Sequence, residues 1–342
     1  MAKGSSVYVG FLGYGQSTAK YLPDFLASLR QQTFADLEII DGDNTPLDQA
    51  NPNQIVLQEF PEVRYLPAGA NLGFAKGYNR LFNLALQEGA KYFLVINPDV
   101  VLQPVVIEKL VDYLDANPEV AAVMPKILRW DFSNNQLTDR VDSLGVGLTK
   151  QGSFVDLGQG QLDDKRLVEP QAIFGFTGAG VLIRLSALTS VAFDNGQSVE
   201  YFDELMFMYK EDCDLSYRLR LAGWQIMLLP EAVIYHDRTA TKVGQSAWSQ
   251  LRYRRQESKL IRQWSYLHQL MIFIKYWNLP KSLASRWQEL FYQKKRLLAA
   301  ILFEPFVLSG WRKLWQQRHL ITARRRALVI KIKPLSLEDW RQ

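Results

Sequence analysis

The sequence predicts an α/β fold: a largely parallel sheet flanked by helices, followed by a basic, amphipathic α-helical region. Three observations predict it. From Val7 to Met124, short apolar runs alternate with segments of helical apolar spacing, as parallel strands joined by helices do. One run, Tyr92–Ile96, is apolar or aromatic throughout, which reads as a strand buried on both faces. Beyond Arg238 the composition changes. That stretch holds 22 of the 40 Lys+Arg but 5 of the 35 Asp+Glu, so it carries +17 while the first 237 residues carry −12.

In chain order, Val7–Gly13 is a short apolar strand. Lys20–Gln32 has Tyr21, Leu22, Phe25, Leu26 and Leu29 at helical spacing, and Leu37–Ile40 is a second strand. The second strand ends in Asp41-Gly42-Asp43-Asn44. Acids there either accept hydrogen bonds from a nucleoside or form a solvated turn. Val63–Leu66 is a third strand. Asn71–Asn79, NLGFAKGYN, runs into a helix through about Gln87, with Asn71 as the expected N-cap and Gly73 and Gly77 allowing close backbone approach. Tyr92–Ile96 stops at Asn97-Pro98-Asp99, because Pro98 has no amide proton for a central strand. Asp99 then stands at the carboxyl edge of the sheet, where ligands sit and where a carboxylate suits a hard cation on a diphosphate. The same three residues also make an ordinary turn.

Gln103–Asn117 is a further helix and Val120–Met124 a further strand. From Lys126 to Pro170 the pattern loosens, with β-like runs only at Val141–Leu148 and Phe154–Leu157; this reads as a less regular, mixed insertion. Phe174–Arg184, FGFTGAGVLIR, is a glycine-containing turn entering a strand. A helix is expected from about Asp212 to Gly223, then two strands, Trp224–Leu229 and Ala232–Tyr235, around Pro230, closed by His236. The basic tail should form two to four amphipathic helices, punctuated by Pro280 and Pro305.

Composition narrows the function classes. With 48% hydrophobic and 22% charged residues the chain is globular. One cysteine, Cys213, excludes an internal disulfide framework and a cysteine-based zinc site, and the three histidines are too scattered for a local metal motif. The apolar run near the N-terminus is too short for a signal peptide, and no apolar run reaches the ~20 residues of a spanning helix. A cytoplasmic location is expected, peripheral on the inner face of the plasma membrane. Trp, Tyr, Lys and Arg in the tail suit an anionic membrane surface; packing on the catalytic region is the alternative. No nucleic-acid motif is present.

Four stretches, in this order, resemble the family 2 glycosyltransferases, especially rhamnosyltransferase-like members. They are EIIDGDN (Glu38–Asn44), NLGFAKGYN, INPDV (Ile96–Val100) and FMYKEDCDLSYRLRLAGW (Phe207–Trp224), the last with FGFTGAG upstream and His236 downstream. The resemblance covers about Val7–Thr239. It implies a GT-A fold, a Rossmann-like mixed sheet, as a catalytic domain over residues 1–237, with 238–342 as an appended helical region. It implies inverting transfer of a sugar from a nucleotide diphosphate, with dTDP-rhamnose as a candidate donor, to a hydroxyl of a cell-surface polysaccharide or polyprenyl-linked glycan.

The resemblance also implies roles. Asp43, Asn44, Asn71, Gly73, Phe74, Asn79 and Asn97 would serve the donor, with Asp41 as the alternative to Asp43. Asp99 and His236 would hold Mg²⁺ or Mn²⁺; the motif has Asn97 where its name-giving version has Asp. Gly178, Ala179, Glu211 and Arg218 would lie on the acceptor side, and Asp212 would be the general base. Glu211 or Asp214 would offset the helix dipole, which lowers Asp212's basicity. Competing readings are an acidic first helical turn for Glu211, Asp212 and Asp214, a satisfied strand-end histidine for His236, and a solvated face or an acid pair for Arg218 and Arg220. Two other functions fit such a sheet. A sugar-1-phosphate nucleotidyltransferase needs paired basic residues in its first loop, where FLGYGQSTAK offers only Lys20. A degenerate binding subunit would not need the acidic set.

Overall fold

The computed structural model describes residues 5–194, 196, 198–238, 258–279 and 282–331. The first half alternates as expected: β1 (Val7–Phe11), α1 (Gly15–Ala19), α2 (Leu22–Arg30), β2 (Leu37–Asp41), α3 (Pro52–Leu57), β3 (Val63–Tyr65), α4 (Gly73–Gln87), β4 (Tyr92–Ile96), β5 (Val100–Leu102), α5 (Val106–Ala116) and β6 (Val120–Asp131). All five residues of β1 and of β4 are buried, as their continuous apolar sequences require. The less regular part follows: β7 (Gln136–Ser143), β8 (Val146–Leu148), β9 (Phe154–Asp156), β10 (Gln171–Ala172), β11 (Gly180–Arg184), α6 (Leu185–Ser190), β12 (Phe193–Asp194), β13 (Val199–Glu200), α7 (Glu211–Leu221) and β14 (Gln225–His236).

The main sheet runs β10-β14-β6-β11-β4-β1-β2-β3, with β5 on β14 and β7 on β6. β3, β2, β1 and β4 are parallel. β11 is antiparallel to both β4 and β6, so the sheet is mixed. From β1 the chain winds one way to β2 and β3 and the other way to β4. That reversal opens a crevice beyond the carboxyl ends of β1 and β4.

β14 corrects one expectation. It is a single strand through Pro230, not two. Its pairing with β6 skips from Leu229 to Val233, and this irregularity is where a proline is tolerated. The far end of β14 pairs with β5, His236 opposite Val100, and the Asp237 amide donates to the Asp99 carbonyl at 2.9 Å. Residues 136 and 138 positions apart are thereby brought together at the crevice.

The tail forms α8 (Lys259–Tyr276), α9 (Leu283–Phe303), a 3₁₀ turn (Pro305–Ser309), α10 (Gly310–Gln316) and α11 (Arg318–Lys331). α8 does not stand apart. Its Leu267, Met271, Ile272 and Tyr276 share an apolar cluster with Phe174 and with Cys213, Tyr217 and Leu221 of α7. Tyr276 stacks on Tyr217 at 4.0 Å. Beneath them Lys275 is fully buried, 2.7 Å from Asp203 and also paired with Asp214. Among the described residues, no helix is long and apolar enough to cross a membrane.

Candidate active site

A cleft of about 770 Å³ lies at the crevice. Asn44, Asn71, Gly73 and Phe74 line one side, Asn97 to Asp99 the β4 edge, and Gly178, Ala179, Glu211 and Asp212 another. His236 and Arg238 close one end.

The Asn-Pro-Asp turn fixes Asp99 by its backbone. The Asn97 amide donates to the Ala179 carbonyl at 3.2 Å, and the Asp99 carbonyl accepts from Asp237. One buried carboxylate oxygen of Asp99, Oδ1, lies 3.3 Å from His236 Nε2 and has no other polar partner among the described residues. The other ring nitrogen of His236, Nδ1, is 2.9 Å from Asp142 Oδ2. Burial works against a charged imidazole, but Asp99 and Asp142 outweigh it and hold its pKa up at about 10. Burial pushes the Asp142 carboxyl up, yet His236, Arg238 and Arg129 bring it below the usual range.

These residues fit a divalent cation that takes the place of the His236 Nε2 proton: Asp99 Oδ1 is a hard ligand, His236 Nε2 faces it, and Asp142 would fix the ring through Nδ1, the carboxylate–histidine arrangement of metal sites. Among the described residues, no group of three or more His, Cys, Asp or Glu could hold a metal. Asp99 and His236 would be the cation's protein ligands, with a diphosphate and water supplying the others, as at Mg²⁺ sites.

Asp212 sits in the first turn of α7. The two residues before that helix, Tyr209 (φ 69°) and Lys210 (φ 77°), are left-handed without being glycine, a costly backbone that tends to mark functional sites. Asp212 Oδ1 accepts from the Cys213 amide at 2.7 Å and Oδ2 from the Gly178 amide at 3.3 Å. Burial pushes its carboxyl above the usual range, against Lys210 and the two amides. Burial is the largest influence on Asp212 and works against the helix dipole, while of the two expected acid neighbours Glu211 interacts with it. Asp214 is turned away, paired with Arg218 at 3.0 Å and with Lys275. Glu211 is pushed well up by burial and by Asp212, and its Oε2 has no partner.

On the donor side Gly73 has φ +73°, and a Cβ there would lie 2.4 Å from the Phe207 carbonyl; no other residue fits that turn. The N-cap of α4 is Leu72 rather than Asn71. Asn71 Oδ1 instead accepts from the Gly73 amide at 2.9 Å. Asn44 Nδ2 donates to the Gly73 carbonyl at 3.0 Å, joining the two donor-side segments.

Four candidates lie off the cleft lining, and except for Asp41, whose Oδ2 has no partner among the described residues, their polar atoms are engaged. Asp43 accepts from the Thr45 amide and hydroxyl, from Tyr65 and from Asn51, shaping its own loop. Asp41 also lies off the lining; it holds the cleft residue Gly13 by an amide hydrogen bond of 2.9 Å. Asn79 clamps Tyr201 and Phe202 through their backbone. Arg218 is buried between Asp214 and the carbonyls of Val191 and Tyr201. Neither Arg218 nor Arg220 forms a solvated face; Arg220 serves the carbonyls of Phe174, Ile173 and Ile226, and burial lowers its pKa to about 9.

Several cleft residues were not read from the sequence. Asp142 lies in the irregular stretch, 94 positions from His236, and carries no local signal. Arg238 lies two residues after His236 and pairs with Asp156 at 3.1 Å. Trp264 and Ile261 of α8 reach the cleft from the tail, where Trp264 packs on Phe207 with ring centres 4.9 Å apart.

Residues 14–188 match the family model described as Glycosyl transferase family 2. The chain belongs to this family. Within family 2, it is 32% identical over 239 residues to the N-acetylglucosaminyl-diphospho-decaprenol L-rhamnosyltransferase of Mycobacterium tuberculosis, an alignment spanning 65% of this chain and 73% of that protein. Two solved structures share the fold. The mannosyltransferase PcManGT of Pyrobaculum calidifontis, in complex with GDP-Man and Mn²⁺, has a TM-score of 0.50 at 15% identity, over 96% of this chain and 87% of that one. GalNAc-T7 with UDP, GalNAc and Mn²⁺ has a TM-score of 0.50 at 12% identity, over 89% of this chain and 58% of that one. This family 2 member is therefore a glycosyltransferase with a GT-A fold.

Proposed function

We propose that the protein transfers a sugar, with inversion and with Mg²⁺ or Mn²⁺ bound, from a nucleoside diphosphate to a hydroxyl of a lipid-linked glycan. The candidate donor is dTDP-rhamnose, and the acceptor a polyprenyl-diphosphate-linked saccharide, by similarity to the mycobacterial rhamnosyltransferase. The observation that carries the reading is one cleft holding both chemistries: Asp99 with His236 at the β4 edge, and Asp212 on α7. The catalytic unit is proposed as residues 1–237. Residues 238–342 are the proposed membrane-facing appendage, on the inner face of the plasma membrane.

The residues divide the work. Asn44, Asn71, Gly73 and Asn97 form the donor wall; Asp43 holds the loop behind them. Asp99 and His236 would hold the cation, which when bound neutralises charge gathering on the leaving diphosphate. Asp212 accepts the proton of the attacking hydroxyl, a role its raised basicity favours. Its two amide hydrogen bonds hold the carboxylate in place during attack. Gly178 and Ala179 provide a narrow wall on the acceptor side, and Glu211 lies beside the base. A single displacement needs no covalent intermediate.

The test is initial-rate transfer from dTDP-rhamnose to a polyprenyl-diphosphate-linked N-acetylglucosamine, with and without Mn²⁺. The proposal expects metal-stimulated product lost in Asp99→Ala. Donor turnover without a glycosylated lipid product, or no response to metal, would overturn it.

A further inference from the structure

α9 is amphipathic with its faces reversed. Leu283, Trp287, Phe291, Leu298 and Leu302 are each more than half exposed, Leu283 at 77% and Trp287 at 69%. Their spacings of four, four, seven and four residues place them on one stripe of the helix. The face turned to the protein buries Ala300 against Tyr266 and Val307 but otherwise carries polar side chains. Glu289 is 3% exposed and packs on Gly152, where an added Cβ would meet its side chain at 3.1 Å. Arg296 lies over the Tyr266 ring of α8 at 4.8 Å and donates to the Tyr266 carbonyl at 3.3 Å. A helix packing on a domain from water buries its apolar side; this one presents it outward.

The surroundings select the occupant. Residues 282–331 hold eleven Lys+Arg and two Asp+Glu. One of the two acids, Glu304, is bonded to Arg262 at 3.0 Å. Lys294 and Lys295 are exposed on α9, and Lys295 lies over the Phe291 ring at 4.6 Å. Trp315 of α10, 66% exposed, carries Arg318 over its ring at 4.2 Å. Tryptophan and basic side chains around an apolar stripe match the boundary between anionic head groups and acyl chains. A second copy of the same face would bring these cations against like charges. Five charged residues within α9 keep it from spanning, so it would lie in the plane of the surface.

We infer that α9 and α10 dock this enzyme flat on an anionic lipid bilayer, through the stripe from Leu283 to Leu302 and Trp315. This deepens, and rests on, the reading of a lipid-linked acceptor. α8 joins the two surfaces: its Tyr266 holds α9, while its Ile261 and Trp264 line the cleft. One helix therefore separates the head-group layer from the site where an acceptor diphosphate would enter.

The test uses the full chain in co-sedimentation with vesicles of phosphatidylcholine alone or mixed equally with phosphatidylglycerol. The wild type should bind the anionic vesicles and be released by high salt. A Trp287→Ser/Phe291→Ser/Leu302→Ser variant should bind about tenfold more weakly or worse. Its thermal unfolding and its transfer to a water-soluble, short-chain acceptor should match the wild type. Wild-type binding to neutral and anionic vesicles alike, no binding, or undiminished binding by the variant would each overturn the inference. So would a wild-type dimer that the variant breaks, since the stripe would then be a self-association surface. Vesicle binding without any sugar transfer would instead sink the catalytic reading and leave the docking surface standing.

Discussion

Asp212→Asn separates the proposed base from its scaffold. The amide has nearly the shape of the carboxylate, and its oxygen can still accept from the Cys213 amide at 2.7 Å. The Gly178 contact, already long at 3.3 Å, would be lost, at a cost of about 1 kcal/mol. Against that loss stands the relief of a deeply placed charge. Burial raises the Asp212 pKa in the folded state, so the folded protein binds more protons than the unfolded one, and stability falls as pH rises through that interval. The variant lacks this penalty and should melt close to the wild type at neutral pH, gaining on it as pH rises from the acid side. Turnover should behave differently. A positioned base contributes ~10²–10⁴-fold, equivalent to about 2.7–5.5 kcal/mol of barrier. The assay is release of nucleoside diphosphate coupled to product analysis, at saturating donor and acceptor. The expected result is kcat reduced by that factor with donor KM nearly unchanged, because Asp212 lies away from the donor wall. In the wild type, kcat should fall on the acid side with a midpoint above that of an ordinary aspartate. Near-wild-type kcat in the folded variant would refute the assignment.

Three further outcomes follow from the geometry. Asp142→Asn should leave the donor wall intact but weaken divalent-cation activation roughly 10–100-fold, since Asp142 orients His236 and otherwise pairs with Arg238 at 3.5 Å; a titration of activity against Mn²⁺ reads this directly. Lys275→Met leaves Asp203 and Asp214 buried without their shared cation and should cost about 3–5 kcal/mol in urea unfolding. The low end is expected because Arg218 stays on Asp214, and a change near zero would contradict the pairing. His268 is buried, its Nδ1 bonded to the Tyr209 carbonyl at 2.8 Å, and burial lowers its pKa to about 4. Because the folded pKa is below the unfolded one of about 6.5, its contribution is complete above pH 6.5 and is lost as pH falls toward 4, by roughly 3 kcal/mol; the stability difference between wild type and His268→Asn should show that slope.

Strands buried on both faces were plain in the sequence because burial leaves an uninterrupted apolar run; Tyr92–Ile96 has the predicted limits. α4 was equally plain and ends at Gln87 as read. Long-range pairing was not. Nothing local in Gly180–Arg184 says that it enters the sheet antiparallel between β4 and β6. Pro230 suggested a break, whereas pairing with β6 carries β14 past it. Within the site, most residues that line the cleft stood in the ordered motifs. Asp142 could not be found, since its importance comes from the ring of His236 and not from its neighbours. Arg218 was ambiguous because a basic residue on a helix looks the same whether it meets water or a buried acid. The tail's periodicity showed helices without showing which face would be covered. Trp264 turns into the cleft, while Trp287 turns to the outside.

The most direct measurement is the anomeric configuration of the product, read by NMR after transfer from dTDP-rhamnose to a lipid-linked acceptor in the presence of Mn²⁺. A single displacement assisted by Asp212 predicts a configuration opposite to that of the donor, formed by the wild type and lost in Asp212→Asn. Product with the donor's configuration retained would contradict the account.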